Sequence, residues 1–261
     1  MSDKSITYAV FTKPWKMPLE ELGAFVAGLG FEAIELPVRP GYQVPPEEVH
    51  KLPQAARLLA QSGIKIASVA GPLDEATIRA CAEAGIPIIR TMAVIGPEGY
   101  RATLSRLQAQ YDALIPLLER YGVKIGVQNH CDHLVANAEG LLHLLGRYDP
   151  EHIGIVWDAA HEALNGIEPE LALELVWDRL RMVNFKNAFW QRINGPEAEF
   201  AQWKPYWTTG RHGLASWPRV AAELKRRNYR GLVCLTAEYS DERAVNRLIA
   251  EDIAFAKTLL A

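Results

Sequence analysis

The chain has 261 residues, of which 49% are hydrophobic and 23% are charged, and its formal net charge is −3. This length suits one eight-stranded β/α barrel with a large core, and the slightly acidic charge disfavours a protein that coats nucleic acid. An apolar run of about 20 residues, which a membrane span needs, is missing, the first residues lack a signal-peptide pattern, and the three cysteines lack metal-type spacing, so we expect a cytoplasmic protein with reduced thiols.

Eight short apolar runs follow one another along the chain, most of them preceded by a glycine or a short polar turn. In order they are ITYAVFT, FEAIELPV, IKIASVAG, IPIIRTMAV, VKIGVQNH, IGIVWDAAH, LRMVNFKN and GLVCLTAEYS. Their high Ile and Val content is typical of parallel strands covered on both faces. Amphipathic stretches of helical length lie between them, and the glycines at their ends are typical of left-handed helix C-caps.

The alternation of strands and helices predicts βα units with right-handed crossovers. Eight such units close into a barrel, whereas an open doubly wound sheet is the competing solution. The first strand is not followed by a G-x-G-x-x-G motif, which disfavours a dinucleotide-binding sheet. We therefore predict an α/β fold, a (β/α)₈ TIM barrel, as a single domain over residues 1–261 with no nucleotide cofactor.

Strand alternation also predicts which polar side chains face the barrel interior. If the apolar row of each of the last four strands faces the helices, six polar residues near the C-terminal strand ends face inward. Barrel enzymes place their chemistry at this end. Any one of these residues, taken alone, is as readily a satisfied core or capping group, but six that converge favour an active site. The six residues are Gln128, His130, Asp158, Asn184, Lys186 and Glu238.

The order and spacing of several short motifs resemble one known family. The motifs are GFEAIEL, QNH, WDAAH, FKN, CLTAEY and the segment TTGRHGLASW before the last helix. Together they resemble the xylose-isomerase-like barrels, the sugar-phosphate isomerase/epimerase group. The resemblance covers nearly the whole chain and implies a TIM barrel that acts on a small-molecule carbohydrate.

The resemblance also bears on a metal. Members of that family usually bind one divalent cation through Glu, Asp, His and Glu on the fifth to eighth strands. The matching positions here are Gln128, Asp158, Asn184 and Glu238, so one carboxylate and one imidazole are replaced by amides. The resemblance therefore implies Mn²⁺ or Mg²⁺ on Asp158, Glu238 and Gln128, since these ions accept oxygen donors, but the replacements leave the metal open.

Three further residues, together with His130, are candidates for substrate binding. His161 lies three residues after Asp158, where the family has an Asp-x-x-His pair, and His130 ends the QNH match. Glu35 matches a family glutamate at the end of the second strand, and the guanidinium fork of Arg90 suits an anionic substrate group. An ion pair at the rim explains Glu35 or Arg90 equally well.

The segment after the seventh strand, residues 189–215, is expected to be a long loop rich in aromatic residues. It carries Trp190, Trp203, Tyr206 and Trp207. This composition fits a lid or a sugar-stacking wall, to which we assign Trp190. Anchoring of the loop to the barrel, or a subunit contact in a homo-oligomer, fits it as well.

These residues lead to a hypothesis of proton transfer beside a carbonyl, as in sugar isomerases, epimerases and related dehydratases. Glu238 or Asp158 would act as the base, and Lys186 would stabilise the developing oxyanion. Two alternatives stay open: a Schiff-base enzyme that uses Lys186 as its nucleophile, and a non-catalytic sugar-binding barrel. An abasic-site endonuclease is disfavoured because it needs a cluster of several metals.

Overall fold

Eight parallel strands close into a barrel in the computed structural model, which describes residues 6–261. The first five residues of the predicted domain lie outside this range. Around the barrel the strands follow the order β1–β2–β3–β4–β5–β6–β7–β10, and β10 pairs with β1. The predicted TIM barrel is thereby confirmed, with all eight predicted strands in place. The strands are β1 (Thr7–Phe11), β2 (Ala33–Pro37), β3 (Lys65–Ala70), β4 (Ile88–Met92), β5 (Lys124–Gln128), β6 (Ile153–Asp158), β7 (Leu180–Phe185), β8 (Asn187–Arg192), β9 (Trp203–Thr208) and β10 (Leu232–Leu235).

Helices connect the barrel strands and cover their outer surface. The glycines predicted as C-caps include Gly85 after α3 and Gly122 after α4, which adopt left-handed φ angles of 69° and 67°. Within residues 6–261, none of the helices has the length and apolarity that crossing a membrane requires. The helices are α1 (Leu19–Gly28), α2 (Leu52–Ala60), α3 (Glu75–Ala84), α4 (Tyr100–Tyr121), α5 (Ala138–Leu145), α6 (Ala159–Leu164), α7 (Pro169–Val176), α8 (Trp217–Arg226) and α9 (Val245–Leu260).

The core has two layers, as the strand alternation predicts. The outer layer lies between strands and helices and includes Ile125, Trp157 and Val183. The inner layer fills the barrel and includes Val156 and Met182. The neighbours of each outward residue therefore point into the barrel, which carries the polar residues at the strand ends to its C-terminal mouth.

The segment expected to be a loop over residues 189–215 is largely a β-hairpin, and this prediction was wrong. Strands β8 and β9 pair antiparallel, from Asn187 opposite Thr208 to Arg192 opposite Trp203. The cause is the aromatic content of both strands, because aromatic side chains favour a pleated, half-buried surface. Only Lys186 separates β7 from β8, so the hairpin continues directly from the barrel wall and packs on α6.

Candidate active site

A cavity at the C-terminal mouth of the barrel, here called the inner cavity, has an empty volume of about 380 Å³. Its floor and walls come from residues at or just after the ends of the strands, because the parallel strands all end at this face. The polar residues that line it are Lys13, Arg39, Arg90, Gln128, His130, Asn184, Thr236 and Glu238.

A chain of hydrogen bonds crosses the floor of the inner cavity. Glu35 Oε1 accepts from Arg90 Nε at 2.8 Å and from Ser68 Oγ at 3.0 Å. Arg90 Nη1 donates to Gln128 Oε1 at 2.5 Å, and Gln128 Nε2 donates to Asp158 Oδ2 at 2.8 Å. Because each group has a fixed partner, the orientation of the Gln128 amide is set by Arg90 on one side and Asp158 on the other.

Asp158 lies behind the lining rather than in it. Its Oδ1 accepts from the backbone N–H groups of Ala160 and His161, which caps α6, and its Oδ2 also accepts from Asn184 Nδ2 at 3.3 Å. Burial raises the pKa of this carboxyl, although Lys186 and the helix N–H groups oppose the rise. With both oxygens engaged, Asp158 is suited to orienting Gln128 and Asn184 rather than to contacting a substrate.

Glu238 is held between two lysines at the edge of the inner cavity. Lys186 Nζ donates to Glu238 Oε2 at 2.8 Å, and Lys13 Nζ donates to Glu238 Oε1. Burial alone would raise the pKa of Glu238, but the two ammonium groups outweigh it and hold the pKa well below its usual range. Lys186 Nζ also lies 3.7 Å from the centre of the Trp207 ring, a cation–π contact that fixes it further.

A second, larger space with an empty volume of about 940 Å³ adjoins the first and is here called the outer cavity. Trp207 and Tyr42 form part of its wall, and it shares Lys13 and Glu238 with the inner cavity. The Lys13–Glu238 ion pair therefore lies between the two spaces.

Two stacked histidines form one side of the site. The ring centres of His130 and His161 lie 3.8 Å apart. His130 Nδ1 lies 2.8 Å from the Cys131 carbonyl oxygen, so it carries the proton and leaves Nε2 as an acceptor. His161 Nδ1 accepts from the Cys131 N–H at 3.1 Å, which places its proton on Nε2. Burial lowers the pKa of both rings, most strongly for the fully buried His161, so both are neutral near pH 7.

The oxygens that a divalent cation would need are largely engaged by cations already. Gln128 Oε1 faces Arg90, and both Glu238 oxygens face lysines. Four residues match the metal ligands of the family. Among them, within residues 6–261, Asn184 Oδ1 is the one buried side-chain oxygen without a hydrogen-bond partner. An oxygen cage for Mg²⁺ or Mn²⁺ needs several free, mostly anionic donors. The donor set therefore does not fit a divalent cation held by Asp158, Glu238 and Gln128.

One other cluster of metal-type side chains occurs in the described part of the chain. Candidate ligand atoms of His130, Cys131 and His161 all lie within 4.8 Å of one another. Burial raises the pKa of the Cys131 thiol to about 12, and a metal would bind it as the thiolate. The three side chains are close enough together to share one metal ion.

Except for Trp190, the residues predicted from the sequence come together here. Five of them line the inner cavity, namely Arg90, Gln128, His130, Asn184 and Glu238. The others lie behind the lining, each in contact with a lining residue: Glu35, Asp158, His161 and Lys186. Trp190 does not line either cavity; it is 41% exposed, and its Nε1 donates to the carbonyl oxygen of Leu164. The reason is its place on β8, two residues beyond Ala188, where the hairpin has already reached the end of α6. Trp207, on the paired strand, is the aromatic residue of this segment that reaches the site.

Sequence reasoning missed two basic residues of the lining. Lys13 follows β1 and Arg39 follows β2, both at the mouth. Each stands just beyond an apolar run, where the period-two pattern has ended and gives no direction for the side chain. The sequence did offer one signal: each of two neighbouring strands is followed, two residues beyond its end, by a basic residue.

Comparisons with known proteins agree with this architecture. The sequence profile of the family described as xylose isomerase-like TIM barrel matches residues 24–259. A comparison with curated proteins gives no match.

Solved structures with the same fold include two epimerases and a probable dehydratase. The 3-keto-D-glucoside 4-epimerase YcjR from E. coli has a TM-score of 0.75 at 14% identity, covering 97% of this chain and 100% of that chain. The probable 3-DHS dehydratase AsbF from Bacillus anthracis has a TM-score of 0.72 at 15% identity, covering 96% and 98%. The D-psicose 3-epimerase from Clostridium cellulolyticum H10 has a TM-score of 0.71 at 12% identity, covering 97% and 99%. At these identities the likeness concerns the fold.

Proposed function

Because the chain belongs to the xylose isomerase-like TIM barrel family, we propose that it is an enzyme that transfers a proton at the carbon next to a carbonyl group. The substrate is a keto-sugar or a closely related carbohydrate. Isomerisation, epimerisation and dehydration all begin with this step, through an enediolate-like intermediate. Epimerases and a probable dehydratase among the proteins of the same fold support this range of reactions.

The observation that carries the proposal is a neutral imidazole beside a fixed ammonium group at one cavity. His130 lines the inner cavity, and its Nε2 is free to accept a proton. The buried Lys186 lies behind the lining, where Trp207 and Glu238 fix its ammonium group, and Glu238 lines the same cavity. Removal of a proton beside a carbonyl needs a base and a cationic donor for the developing oxyanion, and these two residues fit those roles.

Each remaining polar residue has a part in this scheme. Glu238 is a weak base because its pKa is held low, so we assign it to positioning the ammonium of Lys186. Arg90 donates to the substrate oxygens from the cavity floor, and Gln128 and Asn184 bind hydroxyl groups. His161 positions His130 by stacking on its ring. The donor set provides cationic groups where the family places a metal, so we propose chemistry without a divalent cation.

Two expectations from the sequence remain predictions. A cytoplasmic location agrees with the three cysteines, which are free and buried, because disulfides are rare in that compartment. A homo-oligomer agrees with the exposed aromatic residues of the hairpin, such as Trp203 at 55% exposure.

The test is solvent exchange of a carbon-bound hydrogen. The protein is incubated in D₂O with a panel of keto-sugars, both neutral and carrying a terminal phosphate or carboxylate, and the substrates are followed by proton NMR. We expect loss of the signal next to the carbonyl with at least one member, and no loss with the His130→Gln variant. Binding of a sugar without exchange of any C–H would instead assign the protein to the sugar-binding, non-catalytic class.

A further inference from the structure

The charged groups in and directly behind the inner cavity do not balance. Ion pairs account for two carboxylates, since Glu35 pairs with Arg90 and Glu238 is shared by Lys13 and Lys186. Cationic side chains outnumber carboxylates, so the site has an excess positive charge. The cations are Lys13, Arg39, Arg90 and Lys186, and the carboxylates are Glu35, Asp158 and Glu238.

The excess charge lies on Arg39. Its guanidinium is half-buried, lines the inner cavity and lies 5.6 Å from the centre of the Phe11 ring, over which Arg90 also packs at 4.7 Å. Within residues 6–261, the Arg39 side chain has no hydrogen-bond or ion-pair partner. Burial and the neighbouring Arg90 lower the pKa of Arg39. A half-buried cation without a partner is costly to desolvate, and an anion in the cavity would remove that cost.

We propose that the substrate of this site carries an anionic group, a carboxylate or a phosphate, which Arg39 binds with both arms of its guanidinium and Lys13 supports. The planar fork of arginine matches the paired oxygens of either group. Arg90 is less suited to this part, because Glu35 and Gln128 already occupy two of its donors. The inference rests on the proposed function, since it assigns the substrate class of that same site.

The size of the inner cavity limits the substrate further. The inner cavity is small, because its empty volume is only about 380 Å³ even with the space that is open to solvent included. The carbonyl, facing His130 and Lys186, and the anion, facing Arg39, must therefore belong to one short molecule. A keto-sugar acid and a keto-sugar monophosphate share this chemistry.

The test compares matched neutral and anionic ligands by calorimetric titration. For ketopentoses and ketohexoses, the dissociation constant of the neutral sugar is measured beside those of its terminal phosphate and its terminal carboxylate. We expect at least one anionic class to bind roughly tenfold or more tightly than its neutral partner, because a charge-assisted hydrogen bond contributes on the order of 10-fold or more in affinity. Whichever anionic class binds more tightly identifies the group as phosphate or carboxylate.

Three variants test whether the preference for the anionic ligand depends on Arg39. Arg39→Gln should abolish the preference for the anionic ligand, and Arg39→Lys should keep part of it. Arg211→Gln should change nothing, since Arg211 is exposed and stacks on Phe255 beside a different cavity. Melting temperatures of all three verify that the variants are folded.

The outcomes separate this inference from the proposed chemistry. A preference for anions that survives in Arg39→Gln, or a panel in which no anionic member binds more tightly than its neutral partner, would overturn the anion subsite. If neutral keto-sugars exchange their C–H in D₂O while the anion preference is missing, the subsite fails and the chemistry stands. If anions bind in a way that depends on Arg39 but no substrate exchanges its C–H, the anion subsite stands and the proposed chemistry fails.

Discussion

The Lys186 ammonium lies 2.8 Å from Glu238 Oε2 and 3.7 Å from the centre of the Trp207 ring. One side chain is therefore fixed by a carboxylate from the end of the last barrel strand and by an aromatic ring from the hairpin. Only 4% of the Lys186 side chain is exposed, so the charge acts in surroundings with little water. Electrostatic stabilisation is stronger there than in bulk solvent.

Glu238→Gln should remove most of the activity while the fold is retained. Gln conserves size but not charge, so neither Lys13 nor Lys186 keeps its ionic partner. Loss of a positioned group that stabilises the transition state costs on the order of 10²–10³ in turnover. Turnover and melting temperature are measured together.

Glu251→Gln is the matched control for that substitution. It removes an exposed helix-surface ion pair with Arg247, which is worth only about 0.3–0.5 kcal/mol, and should leave turnover unchanged. Near-normal turnover of Glu238→Gln with a lowered melting temperature would assign Glu238 to structure alone.

Substitution of Lys186 separates an electrostatic role from a covalent one. If the charge stabilises an oxyanion, Lys186→Arg should keep a measurable fraction of the turnover and Lys186→Met should lose it. The amine is held by the Glu238 carboxylate and the Trp207 face, and formation of an imine would break these contacts. Borohydride added with a turning-over keto substrate should leave the protein mass unchanged. A reduced imine adduct on Lys186 would establish the Schiff-base alternative.

The pH dependence of kcat/KM should show an acid limb that belongs to His130. Burial lowers the pKa of this ring below 6.5, with Lys186 adding to the effect and Asp158 and Asp132 opposing it; the neutral His161 ring stacks on it. Because the base must be neutral, activity should be full near pH 7 and fall as the pH drops through the lowered pKa. A limb centred above pH 6.5 would contradict this assignment.

Gly126 is needed for the packing of the barrel interior. A Cβ at this position would lie 2.6 Å from Val156 Cγ2, closer than real contacts allow. Gly126→Ala should therefore destabilise the protein by about 1–3 kcal/mol, as overpacking does, and lower the melting temperature by roughly 2–4 °C per kcal/mol. Gly195→Ala is the control, because nothing lies within 4 Å of its added Cβ. Equal melting temperatures for the two variants would be the contrary result.

The strand pattern predicts the barrel and much of the site for one physical reason. In a strand the side chains alternate, so the buried row of Ile125 and Val127 fixes the inward direction of Gln128, and Val183 does the same for Asn184. Glu238 also lines the cavity, but β10 ends at Leu235 and Ala237 adopts a left-handed φ of 51°, so strand alternation does not by itself explain the direction of Glu238.

The strand alternation does not predict the details of the site that depend on neighbouring elements. Asp158 faces inward as predicted, yet it is withdrawn behind Gln128 because α6 begins at the next residue and takes one of its oxygens as a cap. Arg39 and Lys13 lie in connections, where no period applies. The pairing of β8 with β9 spans a ten-residue connection. Asn194, Gly195 and Pro196 in this connection are a turn signal, but a connection this long does not fix which residues of the two strands pair.

The central claim is proton transfer by this chain's own imidazole and ammonium groups, and its most direct test combines exchange with metal control. The C–H exchange rate of the best substrate in D₂O is measured on protein treated with EDTA and then with Mn²⁺ or Mg²⁺ restored in excess. The donor set predicts the same exchange rate in all three states, together with its loss in His130→Gln and Lys186→Met. Exchange that disappears with EDTA and returns with Mn²⁺ would contradict the account and place a metal among Asp158, Glu238 and Gln128.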